Sequence, residues 1–125
     1  MNSTQDYERA IYNLLDGIHG KYKKWAIKAN LKYRTSIQLN IIPGRKYDKI
    51  VRDNSVWGFV VKENGTHKGV VVKVGDVLKA AHWKQPAKYV RGSIFEPGDE
   101  WYNWTGPEYL FQRKARLTDV EVDNK

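Results

Sequence analysis

The stretch "KYDKIVRDNSVWGFVVK", residues 46–62, decides the fold. Two runs rich in β-branched and aromatic residues, "KYDKIV" and "SVWGFVVK", are broken by "RDN", which reads as a tight turn between two strands. Trp57 and Phe59 stand two apart in the second run, and the period of a strand places both on one face as core. Downstream, "ENGTHKG" carries Asn64–Gly65, the strongest short-range hairpin signal in the chain, and "VVVKV" returns. Upstream, "SIQLNII" sets Ile37, Leu39 and Ile41 on one face against Ser36, Gln38 and Asn40 on the other, and Pro43–Gly44 turns the chain into the next strand near Lys46. Residues 46–80 thus read as a meander of antiparallel strands.

The N-terminal segment has a different period. Ser3 or Thr4 followed by Asp6 and Glu8 reads as an N-cap with acids in the first turn, where they meet the positive end of the helix dipole. Tyr7, Ile11, Leu14, Leu15 and Ile18 recur at helical spacing, with Gly17 and Gly20 as stops. This predicts an amphipathic helix over residues 4–18, lying on a sheet. After Gly20, "YKKWAIKANL" alternates imperfectly, like a strand, with Trp25 packed beside Ile27 and with Lys21, Lys23, Lys24, Lys28 and Lys32 as a basic stripe. Beyond Ala80, "HWKQPAKYVRG" has a proline and no clean period, and reads as a loop or a single helical turn. Turns are expected at Pro97–Gly98 and Gly106–Pro107, with Trp101 and Trp104 on opposite faces. The fold class predicted is α+β: an N-terminal helix packed on a curled antiparallel sheet or a small SH3-like barrel. One domain spans residues 1–118, followed by a polar tail over 119–125.

Charge and composition narrow the function. The chain has 125 residues, no cysteine and a net charge of +8. Disulfides, thiolate metal sites and thiol catalysis are excluded. No run of about 18 apolar residues predicts a membrane span, and the acidic, amphipathic N-terminus is no secretory signal. The protein is expected to be soluble and unexported. The charge is uneven: residues 21–52 carry +9 and residues 53–95 carry +4, between ends of −2 and −3. A basic middle is an electrostatic footprint for a polyanion, or else a lysine-rich surface that keeps the protein soluble.

Signals for turnover are weak. His19, His67 and His82 stand apart with no metal-ligand spacing, and no phosphate-cradling glycine loop occurs. Asp99 and Glu100 are adjacent and read as a surface turn. A hydrolytic site would require Asp76 or Glu100 to share a cleft with His82. The expectation is therefore a protein that is not an enzyme, with no catalytic residues, no metal and no cofactor. Binding is favoured by "VGDVLKAAHWKQPAKYVRG", residues 74–92, in which Trp83 stands outside any apolar strand among Lys79, Lys84, Lys88 and Arg91. A flat aromatic face for a base and nearby cations for phosphates are the parts a single-strand binder needs. Trp83 has a second reading, as a plug for one end of a barrel with lysines snorkelling around it. Lys24 and Lys28, from the +9 segment, extend the predicted nucleic-acid site.

The segments "GRKYDKIVRDNSVWGFVVK" and "KVGDVLKAAHWKQPAKYVRGSIFE", with a closing W-x-G-x-Y-L over Trp104 to Leu110, resemble a group of small proteins encoded by tailed bacteriophages. The resemblance covers residues 44–110 and leaves the N-terminal helix and the acidic tail outside it. It implies a phage source and action in the host cytoplasm, and no mechanism. Two functions follow as expectations. The first is a basic accessory protein that binds RNA or single-stranded DNA. The alternative is a non-enzymatic modulator that binds a host protein of defence or gene expression, with exposed aromatics as anchors. Oligomeric state is not legible in the chain.

Overall fold

The structure is a computed structural model and describes residues 4–30, 37–96 and 98–107. Helix α1 runs from Thr4 to Lys28, ten residues past the predicted end. Its apolar stripe explains why: Ile11, Leu14 and Ile18 continue in register through Tyr22 and Ala26, all five buried. Two interior glycines cost a helix roughly 1 kcal/mol each against alanine, less than the burial of two further turns contributes. Gly17 also has a steric role, since a Cβ at that position would run into the Tyr102 hydroxyl. The helix ends where Asn30 takes a left-handed conformation (φ 57°), with Ala29 N–H donating to the Trp25 carbonyl at 2.9 Å. The strand expected over "YKKWAIKANL" is therefore helix as far as Lys28.

Five antiparallel strands form the main sheet in the order β1 (Leu39–Pro43), β2 (Tyr47–Arg52), β3 (Ser55–Val61), β6 (Asp76–His82), β7 (Gln85–Ser93). Between β3 and β6 the chain makes a separate hairpin, β4 (Gly65–His67) and β5 (Val70–Val72). A second small hairpin, β8 (Tyr102–Asn103) and β9 (Gly106–Pro107), follows. Among the described residues β1 and β7 are the sheet's edges and do not pair with each other, so the sheet does not close into a barrel. The predicted β2–β3 hairpin is present: Arg52 pairs with Ser55, Asp53 adopts φ 55°, and Asp53 exchanges hydrogen bonds with Gln38 at 2.8 and 3.1 Å. The Asn64–Gly65 turn is not. Gly65 opens β4, the reversal falls at Lys68–Gly69, and Asn64 Oδ1 instead accepts from Val74 N–H at 2.9 Å.

The sheet has two apolar faces. One packs Ile50, Trp57, Val60 and Val77 against the helix stripe, Ile37, Trp101 and Tyr102. The other carries Phe59, Val61 and Leu78, covered by Val72 of the β4–β5 hairpin. Trp57 and Phe59 therefore lie on opposite faces. Trp57 is the extra residue of a β-bulge, since Ile50 pairs with Gly58 and Val51 with Val56, and this turns its ring toward the helix.

Two polar links hold these layers. Tyr7 of α1 donates to the buried Asp48 carboxylate at 2.8 Å, and Lys62 Nζ reaches the other carboxylate oxygen at 3.3 Å, as an ion pair without hydrogen-bond alignment. Burial, the bond to Asp48 and its charge together push the Tyr7 phenol far above its ordinary range. On the other face, His67 Nε2 lies 3.2 and 3.1 Å from the carbonyls of Pro86 and Ala87, and Nδ1 lies 3.0 Å from the Tyr47 hydroxyl. Carbonyls only accept, so Nε2 carries the proton and Nδ1 of the neutral ring accepts from Tyr47. His67 thus pins the β4–β5 hairpin to both β2 and β7. No helix among the described residues is long and apolar enough to cross a membrane.

A candidate nucleic-acid interface

The segment expected to be a loop or helical turn is the β6–β7 hairpin. Its period is hidden by three register irregularities against β6 and by Pro86, which an edge strand tolerates. Trp83 and Lys84 form its two-residue turn, closed by His82 opposite Gln85. The turn is internally tied: Lys84 N–H donates to His82 Nδ1 at 3.3 Å, and His82 Nε2 lies 3.2 Å from Gln85 Oε1. Trp83 is 46% exposed. Its indole reaches back toward β2, where Lys49 Nζ sits 4.3 Å from the ring centroid, within cation–π range. Lys49 itself is cross-strand from Phe59, whose ring lies 5.9 Å from the same ammonium.

The remaining predicted residues separate around this turn. Lys84 and Lys88 are exposed, and the Lys88 ammonium stands 5.2 Å from the ring of Tyr89, itself 41% exposed. Lys79 alternates with Leu78 and Ala80, which places it on the opposite face of the sheet. Arg91 is half-buried at a bulge, where Val77 pairs with Gly92 and Leu78 with Val90. That is four to five residues of β6 from His82, about 15 Å at roughly 3.3 Å per residue. The Trp83 group therefore comprises Trp83, Lys84 and Lys49, with Lys88 and Tyr89 along the same edge strand. Lys49 and Tyr89 were not singled out from sequence. Register, which pairs Lys49 with Phe59, is the signal that brings Lys49 in.

Lys24 and Lys28 belong to a second assembly. On a helix they are four apart and share one face, where both are exposed. Trp25, expected to be packed, is 42% exposed, with its ring 5.8 Å from that of Tyr22 and 4.9 Å from that of Trp104. Trp104 meets Tyr22 edge-on at 5.0 Å, and the Arg52 guanidinium stands 5.0 Å from its ring centroid. Trp101 is buried and Trp104 half-buried, both against the helix-side core.

Among the described residues, Asp76 and His82 do not share a cleft. Asp76 and His82 lie at opposite ends of β6, and the Asp76 carboxylate accepts from Lys73 N–H at 2.9 Å. Among the described residues no group of three or more His, Asp or Glu side chains could hold a metal ion.

A family of unknown function, DUF7717, matches over residues 2–111. The chain belongs to the DUF7717 family. Its match takes in helix α1, which the bacteriophage resemblance left outside, so the helix and the sheet form one family unit. No curated protein and no solved structure matches the chain.

Proposed function

We propose that this protein is a small basic accessory protein of a phage that binds RNA or single-stranded DNA, with the Trp83 turn as the stacking point. The observation that carries the reading is the setting of Trp83. A tryptophan at the tip of a tied hairpin, nearly half exposed, has Lys49 over its ring and Lys84 beside it. An ordered aromatic ring loses little freedom when a base stacks on it, and stacking is worth on the order of 1–3 kcal/mol per base. Single strands are preferred to duplex because only unpaired bases offer a free face to the ring. Lys84 in the turn and Lys88 on the edge strand after it would supply cations for neighbouring phosphates, and the +8 net charge would steer a polyanion toward the surface.

Fluorescence anisotropy with labelled single-stranded RNA, single-stranded DNA and duplex at two salt concentrations tests the reading. Saturable binding of a single strand, tighter than duplex and weakened by salt, is the expected result. With two or three phosphate contacts, the single-strand salt slope predicts roughly a 7- to 18-fold loss between 50 and 200 mM salt. Absence of binding at low salt would overturn it.

A further inference from the structure

The cavity beside the end of α1 is a second place where aromatic rings and cations converge, on the other side of the sheet from Trp83. It has a volume of about 500 Å³ and is lined by Lys24, Trp25, Ile27, Lys28, Asn103 and Trp104. That size is within the range of small-ligand sites. Its aromatic wall is preassembled from two elements, with Trp25 of the helix and Trp104 of the β8–β9 turn 4.9 Å apart and Tyr22 behind both. Arg52 occupies one approach to Trp104, whereas Trp25 keeps much of its surface in water. Ile27, 70% exposed, extends the apolar surface.

Among the described residues the lysines at this cavity have no opposite charge beside them. Lys24 and Lys28 are like charges at i and i+4, a spacing that works against the helix unless an anion lies between them. Among the described residues neither has an ion-pair partner. Asn103 is held with its Oδ1 accepting from Trp104 N–H at 2.8 Å, which leaves its amide N–H groups as donors. A ligand that satisfies all three features has a flat aromatic ring with hydrogen-bond acceptors and a phosphate a few ångströms away. Inorganic phosphate would leave the rings unmatched, a neutral aromatic would leave the lysines unmatched, and an acidic peptide would leave Trp25 in water.

We propose that this cavity binds a nucleobase carrying a phosphate, with the base against Trp25 and the phosphate between Lys24 and Lys28. The inference is independent of the Trp83 reading, because it rests on different residues on a different face. The shared chemistry has two sources, a free nucleotide or one unit of a bound strand. Tryptophan quenching by adenosine monophosphate, with anisotropy of a labelled 12-residue adenylate RNA in parallel, separates them. The variants are Lys24→Gln/Lys28→Gln, Trp25→Ala and Trp83→Ala.

Saturable quenching by the monophosphate that weakens about tenfold in the lysine and Trp25 variants but not in Trp83→Ala supports a free nucleotide. A comparable loss confined to the RNA supports a unit of a strand. The proposal is overturned if the monophosphate does not saturate and the lysine variant binds RNA as the wild type does. It is equally overturned if inorganic phosphate or a polyglutamate peptide competes as well as the monophosphate itself. The lysine variant alters only exposed side chains, so it decides the matter even if Trp25→Ala fails to fold. Should the RNA not bind the wild type at all, the Trp83 reading fails while the monophosphate titration still decides this one.

Discussion

Tyr7 joins the helix to the sheet through a buried carboxylate, and it does so only as a neutral phenol. Its pKa is raised in the fold, first by burial and then by the bond to Asp48 and that group's charge. A raised folded value means that the stabilisation is fully present below the free tyrosine value of about 10 and is lost as pH rises through the folded value. Burial also raises Tyr47 and Tyr102. The unfolding free energy, measured by urea titration, should therefore decline above about pH 10. Tyr7→Phe should cost about 1–3 kcal/mol at neutral pH by stranding the Asp48 oxygen, and should shallow the alkaline decline without abolishing it. An unchanged alkaline slope in that variant would contradict the account. The two interior helix glycines make a second residue-scale prediction, with opposite signs. Gly20 faces open space, so Gly20→Ala should stabilise by about 0.5–1 kcal/mol. At Gly17 the added methyl meets the Tyr102 hydroxyl and ring, so Gly17→Ala should destabilise despite the better propensity, and Tyr102→Phe should relieve part of the loss. Thermal unfolding of the three variants and the double mutant checks both signs.

At the scale of elements, the β4–β5 hairpin depends on one side chain for its placement. His67 is the donor to the Pro86 and Ala87 carbonyls and the acceptor for Tyr47. His67→Ala removes all three contacts and should cost about 1–3 kcal/mol. The loss should be local: amide exchange in residues 65–72 should accelerate while α1 and β3 remain protected. Uniform acceleration throughout the chain would show instead that the hairpin unfolds only with the whole domain.

Elements also mark what could be read from the residues. The β2–β3 hairpin was legible because its β-branched runs and the "RDN" turn agree. Helix α1 was legible in type but not in length. Gly17 and Gly20 read as stops, and only the position of Tyr102 shows that one of them answers to a close approach. The bulge at Trp57 and the irregular pairing of β7 destroy the period of two, so the sequence sets Trp57 on the face of Phe59 and leaves β7 reading as a loop or a single helical turn. The site is hidden in the sequence by two of the same features, helix length and strand register. Lys24, Trp25 and Lys28 share a surface only once the helix runs to Lys28, and Lys49 reaches Trp83 only through strand register. Trp83 and Lys84 are legible as a pair because they are adjacent in the chain, although their segment reads as a loop or a single helical turn and not as the tip of a hairpin.

At the scale of the molecule, the described residues form an open five-stranded sheet with helix α1 and the β8–β9 hairpin on one face and the β4–β5 hairpin on the other, and the two exposed tryptophan assemblies lie on different faces. A net charge of +8 would favour any polyanion at either face, so only stacking would distinguish a specific site from a lysine-rich surface. The measurement that tests this most directly is anisotropy of a labelled single strand at 50 mM salt with wild type and Trp83→Ala, alongside their circular dichroism. The account predicts an affinity loss of about tenfold or more in the variant with the fold intact. Equal affinity of the two folded proteins would contradict it, and would reduce the Trp83 turn to a structural rim.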